Sequence, residues 1–142
     1  MKELLIWVKE RIKNNLTEFK KVKITPDTFL IPDEKGFPAI NISDNGINRD
    51  LIKTQTKEIL RVKIGVFQSI MRDEESSIIG AGSQKGIEEL SVDIINLLKN
   101  ELPGDYYYDV RVGDESPTQT LTNDFERFIV MKTIEFNYYR LK

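Results

Sequence analysis

The sequence predicts an α+β fold, a mostly antiparallel sheet of four to five strands with two amphipathic helices packed on one face. Three observations carry this. Residues 2–22 and 85–102 repeat apolar side chains every three or four positions, the period of a helix with one buried side. Residues 57–70, 106–112 and 128–139 alternate apolar and polar side chains, the period of a half-buried strand. The order helix, short strands, long strand, helix, two strands also lacks the β–α repetition of a doubly wound parallel sheet.

Taken in order, the first helix has Leu5, Val8, Ile12, Leu16 and Phe19 as its core stripe, with Lys9, Lys13 and Lys20 as a solvated basic flank. Pro26, Pro32 and Pro38 forbid a helix through the next stretch, leaving short strands at 28–31 and 39–42 around a turn at Asp33, Glu34, Lys35 and Gly36. Residues 43–56 carry Asp44-Asn45-Gly46 and mixed charge without a period, and read as an exposed loop. In the strand at 57–70, Leu60, Val62, Ile64 and Val66 face the core. Asp73, Glu74 and Glu75 end it. The second helix buries Ile87, Leu90, Ile94 and Leu97, widened by Ile95 and Leu98, places Glu88 and Glu89 at its positive end, and stops at Pro103-Gly104. Tyr106, Tyr108, Val110 and Val112 then share one face of a strand, and Ile134, Phe136 and Tyr138 share one face of the last.

At 142 residues the chain has the size of one domain, 1–142, and at 39% hydrophobic and 31% charged its composition is that of a globular chain. The absence of His and Cys excludes Ser-His and Cys-His nucleophiles, disulfides and the usual zinc and iron–sulfur sites. No enzyme activity and no cofactor is expected. A formal net charge of -2 gives no global field for a nucleic-acid backbone. The apolar run at 4–8 is too short for a signal core or a membrane span, so a cytosolic chain with no membrane partner is expected, and the triplets at Asn15 and Asn41 are not glycosylation sites.

Each candidate site has an ordinary structural counterpart. Gly80-Ala81-Gly82-Ser83-Gln84-Lys85-Gly86, at the entry to a helix, has the look of a phosphate cradle. Its spacing is neither GxGxxG nor a P-loop, and a flexible connection capped by Ser83 accounts for the same residues. The acid pairs Glu74-Glu75, Glu88-Glu89 and Asp114-Glu115 are candidates for acid–base or cation chemistry, but neighbours on an extended chain point apart. The tyrosines at 106–108, 138 and 139 suit base stacking, an interface or core packing, and the adjacent Asp105 and Asp109 speak against nucleic acid. The segment 113–126 carries Asp114, Glu115, Asp124 and Glu126 without a base and presents a negative surface. Exposure makes Asp44, Asn45, Arg49, Asp50, Asp114, Glu115, Asp124, Tyr107 and Tyr139 the candidate interface residues.

The layout, with the N-terminal helix, the strand at 59–67, Ile78-Ile79-Gly80 followed by Lys85-Gly86-Ile87-Glu88-Glu89-Leu90, and the terminal Ile134-Glu135-Phe136-Asn137-Tyr138-Tyr139-Arg140, resembles the tail terminator or tail completion proteins of long-tailed phages, including the lambda-like minor tail proteins. Related head–tail joining and connector proteins share this small α+β look. The resemblance implies a structural virion protein, of a phage or prophage, made in the host cytoplasm and incorporated in the tail. Its copies would form a ring, usually hexameric, that caps the tail tube, meets the tube protein on one face and a head-completion or neck protein on the other, and lets DNA pass through its lumen without sequence-specific contact. A small nucleotide- or ligand-binding domain is the competing expectation.

Overall fold

The computed structural model describes residues 1–32, 36–70, 73–82, 84–122 and 128–142. Its elements are α1 (Lys2–Asn15), β1 (Lys21–Ile24), β2 (Ala39–Ile52), β3 (Gln55–Ser69), α2 (Glu74–Ile79), α3 (Ile87–Leu98), β4 (Tyr107–Glu115), β5 (Gln119–Thr122) and β6 (Phe128–Leu141). The fold is α+β with a six-stranded, mostly antiparallel sheet. Strand order is β1-β2-β3-β6-β4, with β5 also on β6. Only β1 and β2 run parallel.

On the inner face of the sheet, the registers Ile42↔Ile64↔Ile134, Val62↔Phe136 and Leu60↔Tyr138 form apolar rungs. These side chains share one buried cluster with Leu4, Val8 and Ile12 of α1 and Ile87, Leu90, Ile94 and Leu98 of α3. On the opposite, outer face Phe37, Ala39, Phe67, Ile129 and Met131 form a second buried cluster at one end. Among the described residues no helix is long and apolar enough to cross a membrane.

Several boundaries differ from the sequence reading, each for a local reason. The first helix ends at Asn15, where the Asn15 amide donates to Arg11 O at 2.8 Å, and Phe19 reaches the core from the turn that follows. Lys21–Ile24 instead pairs with Ala39–Ile42, because ladder hydrogen bonds and β-branched Val22 and Ile24 outweigh the helical period. The strand expected at 28–31 is absent. Asp27 Oδ1 accepts from Phe29 N at 2.9 Å in an Asx turn, and the buried Asn41 amide donates to Thr28 O and Leu30 O at 3.2 and 2.6 Å, replacing strand partners. The turn expected at Asp33, Glu34 and Lys35 lies outside the described residues.

The loop expected at 43–56 is a hairpin. β2 runs on to Ile52, turns through Lys53, whose φ is 55°, and returns as β3. Asp44-Asn45-Gly46 is a bulge within it: Gly46 N donates to Asp44 Oδ1 at 2.7 Å, and the register shifts between Asp44 and Ile47. The segment 113–126 likewise contains the end of β4 and all of β5. Between them Ser116 keeps the ladder satisfied, its N donating to Thr133 O and its Oγ accepting from Thr133 N, both at 2.8 Å. Asp73 does not simply end a strand; it caps α2, accepting from Ser76 N at 2.7 Å. α3 stops at Leu98, before Pro103, as Asn100 folds its amide back on Asn96 O at 2.5 Å.

Candidate functional site

Sheet geometry sets the most distinctive feature of the surface. β1 covers the outer edge of β2 only along Ala39–Ile42, so from the bulge to Ile52 that edge has no neighbouring strand among the described residues. At the opposite side β4 pairs with β6 alone. Both open edges carry apolar side chains into solvent: Leu51 is 77% and Ile52 50% exposed on β2, and Tyr108 and Val112 are exposed on β4, with Tyr106 exposed just before it. Unpaired edges of this kind are templates for another strand.

Between the two edges lies a charged cluster. Arg49, Glu58, Arg140 and Tyr107 are successive rungs of β2, β3, β6 and β4. The Glu58 side chain, 5% exposed, accepts from Arg49 Nε at 2.9 Å on Oε2 and from Arg140 Nε and Nη2 at 3.1 and 2.9 Å on Oε1. Arg140 Nη1 also donates to the Tyr107 hydroxyl at 3.3 Å, and its guanidinium sits 5.4 Å from that ring's centroid. Burial alone raises the Glu58 pKa, but the hydrogen bonds from Arg49 and Arg140 outweigh it and hold the carboxyl below its ordinary value. For Tyr107, burial dominates and raises the pKa, partly offset by Arg140. Tyr107 and Trp7 both meet the ring of buried Tyr138 edge-on, at 6.3 and 6.2 Å.

A second cluster joins α3 to the sheet. Lys132, with its side chain 10% exposed, donates to Glu88 at 3.0 and 3.2 Å and lies 2.7 Å from a Glu115 oxygen. Burial lowers the Lys132 pKa, but hydrogen bonds to Glu115 and Glu88 raise it by more, for a net increase. One member each of two acid pairs therefore serves a buried ammonium. Among the described residues no group of three or more Asp or Glu side chains is arranged to hold a metal ion.

The glycine-rich segment forms a tight turn in which Ala81 and Gln84 exchange backbone hydrogen bonds at 3.0 and 3.1 Å. Gly86 is the N-cap of α3, and a Cβ there would lie 2.3 Å from Ile78 O, so close backbone packing accounts for the glycine. Ser83, the expected cap, lies outside the described residues. Lys85 turns to Glu18 Oε1 at 3.1 Å and Asp93 Oδ2 at 2.6 Å, which raise its pKa, with Asp93 the larger influence. Its charge is engaged by protein carboxylates.

The candidate interface residues separate into several settings. Asp44 and Asn45 form the β2 bulge, where Asn45 donates to Glu135 at 3.0 Å, and Arg49 and Asp50 lie on the open part of β2. Asp114 is exposed near the end of β4, whereas Glu115 is tied to Lys132. Tyr107 packs inward against the core cluster. The expected alternation of β4 fails here because a bulge between Tyr107 and Asp109 brings Tyr107 and Val110 to the same face. Tyr139 sits on β6, an interior strand, its ring 6.1 Å from that of Tyr108 and 5.1 Å from the Arg111 guanidinium. Asp124 lies outside the described residues. Sequence reasoning missed Glu58, Arg140 and Lys132; the signal for Lys132 was a lone cation amid the apolar run 128–134. Compared with protein-family models and with curated protein sequences, the chain matches none.

Proposed function

We propose that the protein is a non-enzymatic virion assembly subunit of the tail-terminator kind, whose copies associate head to tail into a closed ring. The observation that supports this reading most is the sheet with an open edge on each of its two sides, both bearing exposed apolar residues. Two different edges on opposite sides suit a heterologous contact, which makes rings where the rotation closes. In this reading α1 and α3 pack on the inner face of the sheet and leave the edges for neighbours. The ring caps a tail tube when one rim fits the last tube layer and the other rejects a further tube subunit. The lumen then passes DNA, and the far rim meets a neck protein.

A head–tail connector would use the same edges. The nucleotide-binding alternative is less well supported, because Lys85 is held by Glu18 and Asp93. Analytical ultracentrifugation and negative-stain microscopy test the ring reading, on the purified chain and with tail tubes from the same source. Annular particles of fixed stoichiometry are expected. Monomers at every concentration, with the tubes left uncapped, would refute it.

A further inference from the structure

We infer that copies join by continuing the sheet: residues 47–52 of β2 in one copy pair antiparallel with residues 109–112 of β4 in the next. This rests on the ring reading above and names the surfaces that make it. Strand direction is the first argument. Every neighbour in β2-β3-β6-β4 is antiparallel, so the two edge strands run in opposite directions. Rotation of a copy about an axis inclined to the strands, by roughly the 40° tilt of a closed barrel, keeps those directions closely enough to bring β4 beside β2 in antiparallel orientation and supplies a shift along the strands between copies. A two-fold dimer would instead join like edges and leave the other pair bare.

Position is the second. Ile47, Leu60, Tyr138 and Val110 are rungs of one ladder, so at equal level the open stretches overlap at 47–48 and 109–110; pairing them along their length sets the next copy two to four residues, roughly 7–13 Å, along the strands. The third is which side chains meet. Ile47, opposite Leu60, and Val110 and Val112, opposite Tyr138 and Phe136, all belong to the inner face. Leu51, four residues beyond Ile47 on β2, lies on that face too. Edge pairing brings these apolar groups together and extends the inner-face strip into the next copy. On the outer face it sets Asp50 beside Arg111, a carboxylate against an exposed guanidinium.

Bulges confine the contact. Register shifts between Asp44 and Ile47 on β2, and between Tyr107 and Asp109 and between Val112 and Glu115 on β4, leave one regular run on each edge. Elsewhere the edges are interrupted, which limits pairing in other registers.

The chain has no cysteine, so engineered thiols report without background. Asn48→Cys and Asp50→Cys on β2 would each be mixed with Asp109→Cys or Arg111→Cys on β4 under oxidising conditions, which covers adjacent registers. Within one chain these edges are three strand spacings apart, roughly 14 Å, too far for an intrachain disulfide. At least one mixed pair should give tenfold more covalent heterodimer than homodimer, and the matching double variant should give a ladder ending at the ring size. Homodimers of the β2 variants alone would overturn the inference in favour of like-edge pairing. Oligomers of the unaltered chain without any mixed cross-link would overturn it while leaving the ring reading intact. Absence of oligomers under all conditions, with tubes present, would remove both.

Discussion

Replacing Glu58 with Gln tests how the charged rungs contribute to stability. The side chain is 5% exposed and Arg140 16%, so removing the carboxylate charge leaves a largely buried guanidinium without its counter-ion. Loss of one member of such a pair costs about 3 kcal/mol. For a domain of this size that lowers the Tm by about 10 °C. Arg49→Ala removes the other partner, but Arg49 is 62% exposed, and solvent screening limits that loss to about 1 kcal/mol or less. Glu58→Leu combined with Arg140→Leu removes both charges and should recover part of the loss. The pH dependence adds a signed check. Because Glu58 has a lower pKa folded than unfolded, the unfolded chain binds more protons in the intervening range, and stability rises with pH. The contribution is present above the ordinary carboxylate value of about 4.3 and disappears as pH falls through the folded value. Urea unfolding at pH 7 and at pH 3 reads both effects. A Glu58→Gln variant within about 0.5 kcal/mol of the parent at pH 7, with the same loss of stability on acidification, would refute the reasoning.

Gly86→Ala should cost more than about 2 kcal/mol in chemical denaturation, because its Cβ would overlap the Ile78 carbonyl and the Gly80 amide. The Tyr138 hydroxyl is buried without a hydrogen-bond partner among the described residues, so Tyr138→Phe should be neutral or stabilising by about 1 kcal/mol. Burial raises the Tyr138 pKa above its ordinary value. The parent should therefore lose stability as pH rises beyond about 10, and the Phe variant should retain more of it in alkaline thermal melts. Lys85→Ala should cost about 1 kcal/mol or less and leave calorimetric titration with a nucleoside triphosphate as blank as that of the parent.

What was legible in the sequence is what burial imposes on side-chain spacing. Leu60, Val62, Ile64 and Val66 alternate because one face of β3 meets the core, and Ile87, Leu90 and Ile94 keep helical spacing for the same reason. Where backbone pairing forms the structure without burying an apolar row, the sequence is silent. Residues 48–50 are Asn, Arg and Asp, so the far half of β2 has no periodic signal although it is fully paired with β3. β5 is short and mostly exposed, and depends on its pairing with β6. The open edges were invisible for a related reason: an edge is defined by which strands lie beside it. Glu58 and Arg140 are 82 residues apart, and only the register of β3 against β6 brings them into contact.

That register has a consequence for how the protein is made. β6 occupies an interior place in the sheet but follows β2, β3 and β4 in sequence, so a nascent polypeptide holds those segments before it has the strand that joins β3 to β4. Until β6 emerges from the ribosome, Leu60, Val62 and Ile64 lack their partners Tyr138, Phe136 and Ile134, and the long-range pairing of β3 with β6 must await loop closure. Truncated or stalled chains should therefore be sticky clients for chaperones, and the amides of β6, once bonded on both sides, should be among the slowest to exchange with solvent.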